Sequence, residues 1–556
     1  MKDRVIRAVV KASGEAERVI ENLIEIPKDY NRGDYALPCF HFAKKLKKNP
    51  EEIAKEIAIK IRSDYFEKVE ASGHYINFFV DRTKFVKKIM NEVQEKGNMY
   101  GSINIGKNKK IVIEMSSPNI AKPFGIGHLR STIIGNSISK LFEFAGYKTV
   151  KINYLGDWGT QFGRMIVGWE NFGKEDELTS NPIKHLFDIY VMANEKEFDD
   201  SAREWFQKLE SGNPKAEKLW KKFRDMSLKD FQKIYALLGV KFDVISGESK
   251  YNKKIKFVIN ELKRKNILQE SDGALIVNLE RHGLGVALIK KSDGATLYLT
   301  RDLAAAIDRF KKYGFSKMIY EVGAEQKLHF QQFFKILEIL GYEWSDKCIH
   351  VEHGFYLDGD GKRFSTRKGK TVFMEDVLNE TFELAKIEVS KRNKKIKVRN
   401  LNERARKIAV AAIFYGDLKN PRRNDVVFDL DKFLSFEGDT GPYLLYSYAR
   451  AKSIIRKSEK KIKKTIFFDN INDSEKKIVV LIGRFSEIVT QAYLNLAPNV
   501  IANYAYELAK NFNEFYHENQ VLGSDKEELR LAITKAFSQT LKNALKILGI
   551  SVIEEM

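Results

Sequence analysis

Residues 110–155 alternate between strand-like and helix-like patterns, and this alternation restricts the fold more than any other feature of the chain. The apolar run IVIEM occupies 111–115, and YKTVKINYL at 147–155 is again typical of a strand. Between them, apolar residues recur at helical spacing from Leu129 to Ala145. A strand, a helix and a second strand in this order predict a Rossmann-like parallel sheet with a right-handed crossover.

The rest of the chain divides around this α/β unit, so the sequence predicts a multidomain protein. Residues 1–105 are typical of an N-terminal α+β module, with amphipathic helices followed by the alternating strand HYINFFV. We expect the α/β Rossmann-like parallel-sheet domain to cover 106–400, with more sheet material at 286–345 and a charged helical insertion at about 175–265. Residues 401–556 contain long amphipathic helices and few strand signals, which favours a C-terminal all-α helical bundle.

The composition is that of a soluble globular protein. Hydrophobic residues make up 43% of the chain and charged residues 31%, and no apolar run reaches the length of about 18 residues that would indicate a membrane span. The N-terminal segment lacks the apolar block of a secretory signal, so we expect a cytoplasmic protein without a membrane partner. Cys39 and Cys348 lie far apart, so neither a disulfide framework nor a metal site is predicted, and both are interpreted as packing residues.

A formal charge of +21 predicts a polyanionic partner, of which nucleic acid is the commonest. Lysine and arginine are concentrated at 391–399 and at 456–464. Runs of this kind are either solvated faces or phosphate contacts, and the sequence leaves both interpretations open.

The segment EMSSPNIAKPFGIGHLRST connects the first strand to its helix, at the carboxyl end of the strand where open α/β sheets bind ligands. Gly125 and Gly127 allow another molecule to approach the backbone, and the N–H groups at the start of the helix favour phosphate. His128 can donate a hydrogen bond to a phosphate oxygen. The alternative is a histidine that caps or packs against its own helix.

SPNIAKPFGIGHLRST resembles the HIGH-type nucleotide signature of class I aminoacyl-tRNA synthetases, and its flanks resemble the arginyl-tRNA synthetase form. The resemblance continues in order along nearly the whole chain. The further segments that carry it are GDYALPCFHFAKKL (33–46), SGHYINFFV (72–80), NYLGDWGTQFG (153–163), KSDGATLYLTRDLAAA (291–306), VGAEQKLHF (322–330), GKRFSTRKGKTV (361–372) and SFEGDTGPYLLYSYAR (435–450).

This resemblance implies a two-step ligase. L-Arginine and ATP, the latter as its Mg²⁺ complex, would give arginyl-adenylate and pyrophosphate, and the arginyl group would then pass to the 3′-terminal adenosine of tRNA(Arg). The protein would position groups and neutralise charge without a covalent nucleophile, a bound metal or an organic cofactor. The family expectation for the oligomeric state is a monomer.

Two ATP-binding segments depart from the class pattern. Gly125 stands where the first histidine of the HxGH pattern is usual, and RFST, beginning at Arg363, stands where the general pattern reads KMSK. The resemblance assigns ATP binding to Gly125, Gly127, His128, Arg363, Ser365 and Arg367.

The missing lysine of the second loop can be replaced by nearby cations. Lys122, in the phosphate turn, is the first choice for the charge that stabilises the phosphates, with Lys368 as a second cation and His128 as the third catalytic group. For Lys368 the alternative is simple solvation.

Recognition of a guanidinium requires carboxylates, because an unpaired buried guanidinium is costly. By matching positions, the resemblance implies arginine contacts that lie in three motifs: Glu114, Asn119, Tyr298, Asp302 and Gln326. Glu114 could instead pair with a lysine, and Asp302 could cap the helix DLAAAIDRF.

Contacts with tRNA are expected at both ends of the chain. The N-terminal module resembles one that touches the tRNA elbow, with Asn77 and Phe78 as candidates, although an alternating strand is usually sheet core. The C-terminal helices resemble an anticodon-binding module in which Tyr443 and Tyr446 offer stacking faces. Helically spaced tyrosines are more often core, and the further candidates are Tyr448, Tyr504, Tyr506 and Tyr516, with Arg450 and Lys452 as phosphate contacts.

Two alternatives stay open at this level. Another class I ligase, of the cysteinyl or glutamyl type, is one, although cysteine activation usually involves zinc and the chain offers no ligand set for it. The other is a tRNA-binding paralogue without activity, which the departures at Gly125 and in RFST motivate.

Overall fold

The computed structural model describes residues 2–27, 29, 32–63, 65–120, 122–292, 297–364, 373–392, 398–458 and 471–556. Within these residues the predicted architecture is confirmed: an N-terminal α+β module, a central parallel sheet covered by helices, and a helical C-terminal domain.

The N-terminal module is a small antiparallel sheet, in the order β1-β3-β2, packed against helices. Its apolar side chains form a separate hydrophobic core, whose last buried residue along the chain is Phe78. Its elements are α1 (Lys2–Ser13), α2 (Glu17–Leu23), β1 (Tyr35–Pro38), α3 (Phe40–Leu46), α4 (Pro50–Lys60), β2 (Phe66–Ser72) and β3 (Tyr75–Val80).

The central sheet has five parallel strands. Their bounds are β4 (Lys110–Glu114), β5 (Lys148–Leu155), β6 (Val244–Gly247), β10 (Lys317–Gly323) and β11 (Cys348–His353). The strand order is β11-β10-β4-β5-β6. From β4 the sheet extends to β5 and β6 on one side, and β10 and β11 are added on the other side of β4. The strand order therefore reverses between β4 and β10. Sheets of this kind open a ligand crevice at that switch point, outside the carboxyl ends of the strands.

Strand β4 shows why the strands of this sheet appear as apolar runs in the sequence. Ile111 and Ile113 join a large hydrophobic core on one face, and Val112 joins a second core on the other. All three are fully buried, as expected for a parallel sheet covered on both faces. The helices that follow the strands in this part of the chain are α6 (Ile126–Phe144), α7 (Thr160–Phe172), α12 (Ile255–Arg264), α13 (Tyr298–Tyr313), α14 (Lys327–Ile339) and α15 (Met374–Arg392).

The helical insertion ends earlier than the sequence predicts. It consists of α8 (Glu175–Ser180), α9 (Pro182–Met192), α10 (Asp199–Glu210) and α11 (Pro214–Leu238). Strand β6 follows and belongs to the central sheet, where it lies at the edge with partly exposed side chains. Because it is short and half-exposed, it lacks the apolar run that marks β4 in the sequence.

The strand signal that begins at residue 286 also has a different partner from the one predicted. It forms the last strand of a separate antiparallel sheet, β7 (Leu268–Ser271), β8 (Ala274–Asn278) and β9 (Val286–Lys290), and is not part of the parallel sheet. Hydrophobic pattern indicates a strand but not its neighbours, because pairing depends on tertiary contacts.

The C-terminal helices pack on α6 and on α5 (Arg82–Lys96), the helix that follows the N-terminal module. Phe85, Val86 and Ile89 of α5 belong to the same large core as the C-terminal helices. The elements of this part are α16 (Val398–Leu418), α17 (Leu430–Leu434), α18 (Gly441–Lys457), α19 (Asp473–Gly483), α20 (Phe485–Asn495), α21 (Pro498–Glu518) and α22 (Glu527–Ile547), and a short parallel pair joins β12 (Tyr356–Leu357) to β13 (Val426–Val427).

In the described residues, the helices are all too short or too polar to cross a bilayer. Cys39 and Cys348 are both buried and unbridged, in agreement with their interpretation as packing residues.

Candidate active site

A cleft of about 1390 Å³ opens at the carboxyl ends of β4 and β10, where the strand order reverses. It brings together residues that the sequence assigned to ATP and to arginine from four separate motifs. The predicted residues that line it are Glu114, Asn119, Lys122, Gly125, Gly127, His128, Tyr298, Asp302, Gln326 and Arg363. Ser365, Arg367 and Lys368 lie outside the described residues.

The phosphate turn forms one end of this cleft. Gly125 is the N-cap of α6, and its backbone N–H donates a hydrogen bond to Nδ1 of His128 at 3.1 Å. Burial and the nearby Lys122 ammonium lower the pKa of His128 to about 4, so the imidazole is neutral at physiological pH. Because Nδ1 accepts, the proton of the neutral ring resides on Nε2, which can donate to a ligand. His128 therefore caps its helix and also lines the cleft.

The two glycines of the turn differ in what surrounds them. A Cβ on Gly127 would meet nothing within 4 Å, and the residue is exposed, so this part of the helix start is open to the cleft. A Cβ on Gly125 would meet only Nδ1 of His128, at 3.9 Å. The replacement of the usual histidine by Gly125 is therefore not forced by lack of space.

The two cations at this end, Lys122 and Arg363, contact aromatic rings. The Lys122 Nζ atom lies 5.1 Å from the centre of the Tyr190 ring, which belongs to α9 of the insertion, and Lys122 is half-buried. Arg363 is exposed and its guanidinium stacks on the Phe355 ring at 3.5 Å. Both cations therefore rest on aromatic faces that line the same cleft.

The other end of the cleft is acidic. Glu114, at the end of β4, forms an ion pair with Arg309 of α13 at 2.5 Å, and both side chains are buried. Burial raises the pKa of Glu114, and the Arg309 guanidinium opposes that effect. The sequence left open a lysine as the partner of Glu114, and the structure shows an arginine instead.

Asp302 faces a histidine. Its Oδ2 atom lies 2.8 Å from Nε2 of His329 on α14, and the His329 ring lies 5.0 Å from the ring of Tyr298. Tyr298 is 55% exposed and begins α13, for which Leu297 is the N-cap. Asp302 is therefore in the second turn of α13, and the alternative that it caps this helix is wrong.

A third carboxyl group, that of Glu248, lies in the cleft and was missed by the sequence. It pairs with the buried Arg301 at 3.4 Å, and burial raises the pKa of Glu248 to about 8 although Arg301 opposes the shift. Glu248 directly follows β6, so it occupies the same carboxyl edge of the sheet as Glu114. Recognition of β6 as a strand would have found it.

Asn119 lies in close contact with the backbone of Gly156. It forms an isolated parallel bridge with Gly156, and a Cβ on Gly156 would lie 2.0 Å from Oδ1 of Asn119. The glycine of the motif NYLGDWG is therefore required for the amide to reach the cleft wall.

Buried hydroxyl groups support the floor of the cleft. Oγ of Ser116 lies 2.7 Å from the hydroxyl of Tyr235 on α11 and accepts a hydrogen bond from Thr132 at 2.8 Å. Asn153 of β5 donates to the same tyrosine at 3.0 Å. This network ties the insertion to the phosphate turn, and no motif in the sequence indicates it.

Arg130 connects the phosphate helix to α16 and to the segments around Phe355 and Asn424. It is fully buried, donates to the backbone carbonyls of Phe355 at 3.0 Å and Asn424 at 2.7 Å, and lies 3.4 Å from the Asp417 carboxylate of α16. Tyr356 donates to the same carboxylate at 2.5 Å. The charged Arg130 side chain on α6 thus fixes the orientation of the segment around Phe355 and Tyr356, which leads to Arg363.

Comparison with family models assigns nearly the whole chain. The model for "tRNA synthetases class I (R), catalytic domain" matches residues 88–430, that for "Arginyl tRNA synthetase N terminal domain" matches 1–80, and that for "DALR anticodon binding domain" matches 444–556. An arginine–tRNA ligase of Halothermothrix orenii is 45% identical and one of Clostridium perfringens 46% identical, each over 97% of this chain and 96% of the relative.

The chain belongs to the arginyl-tRNA synthetase family. It is an aminoacyl-tRNA ligase, and the cysteinyl and glutamyl alternatives are set aside.

Solved structures agree with this assignment. The arginyl-tRNA synthetase of Plasmodium falciparum superimposes with a TM-score of 0.84 at 26% identity, covering 100% of this chain and 98% of that one. The enzyme of Thermus thermophilus, at 22% identity and full coverage of both chains, has the same fold with a TM-score of 0.83.

The residues expected to contact tRNA lie away from the cleft and differ in exposure. In the N-terminal module, Phe78 is fully buried in the core and Asn77 is 6% exposed. The structure therefore does not support Phe78 as an RNA contact, because Ile76 and Phe78 of β3 both belong to that core. The exposed aromatic groups beside this strand are Phe40 and His74, whose rings are 5.2 Å apart.

In the C-terminal domain, Tyr443 and Tyr446 are both half-buried on α18. Tyr443 accepts a hydrogen bond from Asn513 at 2.8 Å, and the Arg450 guanidinium lies 4.8 Å from the Tyr446 ring and 5.5 Å from that of Tyr516. These side chains form an aromatic and cationic surface. The other candidates, Tyr448 and Tyr504, are buried.

Proposed function

We propose that the one cleft carries both half-reactions, the activation of L-arginine by the Mg²⁺ complex of ATP and the esterification of the 3′-terminal adenosine of tRNA(Arg). The observation that supports this most strongly is the combination of a phosphate-binding helix start and three buried or half-buried carboxyl groups in one cavity. The carboxylate of arginine attacks the α-phosphorus of ATP, and pyrophosphate leaves.

At the phosphate end, the roles follow from charge. The start of α6 offers its free N–H groups and dipole to the phosphates, and neutral His128 donates from Nε2. Lys122 supplies positive charge as pyrophosphate forms, and Arg363 is a second cation on the same wall. Arg367 and Lys368 are assigned to the same task by their place in the sequence.

At the acidic end, the partners of the three carboxyl groups decide their roles. Glu114 and Glu248 each face a protein guanidinium, Arg309 and Arg301, so each already has a cationic partner within the protein. Asp302 faces an imidazole instead, and we assign it as the acceptor of the substrate guanidinium. Glu114, Asn119, Tyr298 and Gln326 complete the arginine site.

Two further surfaces are assigned to tRNA. The aromatic and cationic surface on α18 and α21 supports contacts to unpaired anticodon bases through Tyr443, Tyr446 and Arg450. For the elbow of tRNA we assign the surface of the N-terminal module near Asn77. A truncation that removes 1–80 tests that assignment better than one that removes 1–105, because α5 belongs to the core of the remaining protein.

We also assign a monomeric, cytoplasmic enzyme in which residues to about 105 form the N-terminal part and those beyond about 400 the anticodon-binding part. Light scattering of the purified protein, alone and with tRNA, measures the oligomeric state.

The decisive experiment is arginine-dependent pyrophosphate exchange with ATP, measured with and without tRNA(Arg). We expect exchange and, with tRNA, charging of its 3′ end. Binding of tRNA without exchange or charging under either condition would instead support the inactive paralogue. Exchange that depends on another amino acid would contradict the assignment of the acidic end.

A further inference from the structure

We propose that His329 is a positioning residue for Asp302, which holds the guanidinium-binding carboxylate by a hydrogen bond from Nε2 and thereby sets the affinity for arginine. This inference rests on the proposed function, because it takes Asp302 as the acceptor of the substrate guanidinium.

The first step of the argument is the bond itself. Nε2 of His329 lies 2.8 Å from Oδ2 of Asp302, and it joins α14 to α13 across the cleft wall. A carboxylate only accepts, so the imidazole presents an N–H at Nε2. The bond holds Oδ2, and by fixing the carboxylate group it also sets the direction of Oδ1.

The second step is what holds the imidazole. Its ring lies 6.2 Å from Phe333, one turn further along α14, with the planes 20° apart, and 5.2 Å from Phe330 in an edge arrangement. On the cleft side, the ring of Tyr298 lies 5.0 Å away. The His329 side chain is only 11% exposed. Packing on several sides therefore fixes the orientation of the imidazole ring and the direction of its Nε2 atom.

The third step is the charge of the donor. Glu114 and Glu248 each lie beside a permanently charged guanidinium group, so both already face a cation of the protein. His329 orients Asp302 through one N–H and lacks the permanent charge of a guanidinium, so the carboxylate is the one of the three that has no guanidinium partner within the described residues. His329 touches both Asp302 and Tyr298, two of the residues assigned to arginine, and it lines the cleft itself.

The test replaces His329 in the full-length enzyme and measures pyrophosphate exchange as a function of arginine and of ATP. His329→Phe keeps the ring but removes the donor, and we expect the KM for arginine to rise about 10- to 100-fold, as for loss of a hydrogen bond to a charged group. The KM for ATP should change less than about twofold, because the contacts of His329 are to Asp302, Tyr298 and the phenylalanine rings at the acidic end. His329→Gln, which restores an N–H donor, should recover most of the arginine affinity.

Matched exchanges at His282, an exposed residue in the turn between β8 and β9, provide the control. His282→Phe and His282→Gln should leave both KM values unchanged. Circular dichroism and the KM for ATP report whether each variant folds with an intact nucleotide end.

The outcomes separate this inference from the proposed function. If the wild-type enzyme shows no arginine-dependent exchange, the proposed function fails, and the role of His329 fails with it. If the wild-type enzyme exchanges but His329→Phe has the same KM for arginine, or raises both KM values equally, only the role of His329 is overturned. A His329→Gln variant as impaired as His329→Phe would also overturn it, because packing rather than donation would then be the cause.

Discussion

The two ends of the cleft are built differently. At the acidic end, carboxyl and guanidinium groups are paired between separate elements, as Glu114 and Arg309 join β4 to α13. At the phosphate end, Lys122 is half-buried and Arg363 is exposed, and both rest on aromatic rings. The first end is held together by buried ion pairs, whereas the cations of the second lie closer to solvent.

This difference follows from what each end has to bind. A guanidinium must be distinguished from other side chains, and selection by an unpaired buried group requires a fixed and dry carboxylate. Pyrophosphate must be stabilised as it forms and then be released, which suits cations on long side chains close to solvent. Substitutions at the two ends should accordingly have different effects on stability and on activity.

The largest expected effect is that of Asp302→Ala. Loss of the carboxylate that pairs with the substrate should lower kcat/KM for arginine about 100- to 1,000-fold, the range of a deleted charge partner. Folding should be retained, because the Asp302 side chain is 19% exposed and its removal leaves no buried guanidinium without a counter-charge. Pyrophosphate exchange and circular dichroism measure the two effects, and Asp308→Asn on the same helix is the control. Near wild-type exchange would remove Asp302 from the site.

Glu114→Gln should lower stability more than Asp302→Ala does. It leaves the buried Arg309 guanidinium without its counter-charge, which costs about 3–5 kcal/mol in comparable buried pairs. We expect a lower thermal midpoint than for Asp302→Ala, together with impaired arginine exchange. An unchanged midpoint would show that the acidic end is less rigid than its buried pairs indicate.

Lys122→Met should affect the nucleotide and leave stability unchanged. Loss of one charged contact to phosphate should raise the KM for ATP or lower kcat about 10- to 100-fold. Tyr190→Leu removes only the ring beneath the ammonium, so a change of about 2- to 5-fold is expected. Lys184→Met, an exposed lysine on the same insertion helix, is the control. Equal losses in Lys184→Met would point to a general charge effect.

The pH dependence of stability tests the environment of His128. Its pKa is lowered to about 4 in the folded protein, from about 6.5 in an unfolded chain, so between these values the unfolded state binds more protons. Stability is therefore complete above about pH 6.5 and should fall by about 3 kcal/mol as the pH decreases to about 4. The difference between wild-type and His128→Gln melting curves across this range isolates the contribution. A flat difference would mean that the imidazole is not buried.

Gly125→His should have the smallest effect. The site has room for a side chain and Gly125 has an ordinary extended backbone with φ of −89°, so no strain is expected. A restored donor to phosphate should lower the KM for ATP about 2- to 5-fold, in line with one net hydrogen bond. Gly125→Ala, which adds no donor, serves as the comparison. A loss of activity in Gly125→His alone would show that the glycine is required for access.

Much of the site could be predicted because local motifs carry it. The turn around Gly125 and His128, the strand end at Glu114 and the helix start at Tyr298 each have a recognisable sequence. Their meeting in one cleft follows from the rule that parallel strands place their carboxyl ends at one edge. The burial of Phe78, a candidate RNA contact, could not be predicted, because alternation shows that a strand has two faces without showing which one is buried.

The sequence by itself determined the crossover unit at residues 110–155, the phosphate turn and the family of the protein, since these depend on short-range patterns and on the order of motifs. Only the tertiary structure decided which carboxyl groups are compensated by Arg309 and Arg301 and which one, Asp302, faces His329. The physical reason is that ion pairing in a buried cleft depends on strand order and on helix packing. Those place side chains from distant segments within hydrogen-bonding distance, and no local pattern encodes that distance.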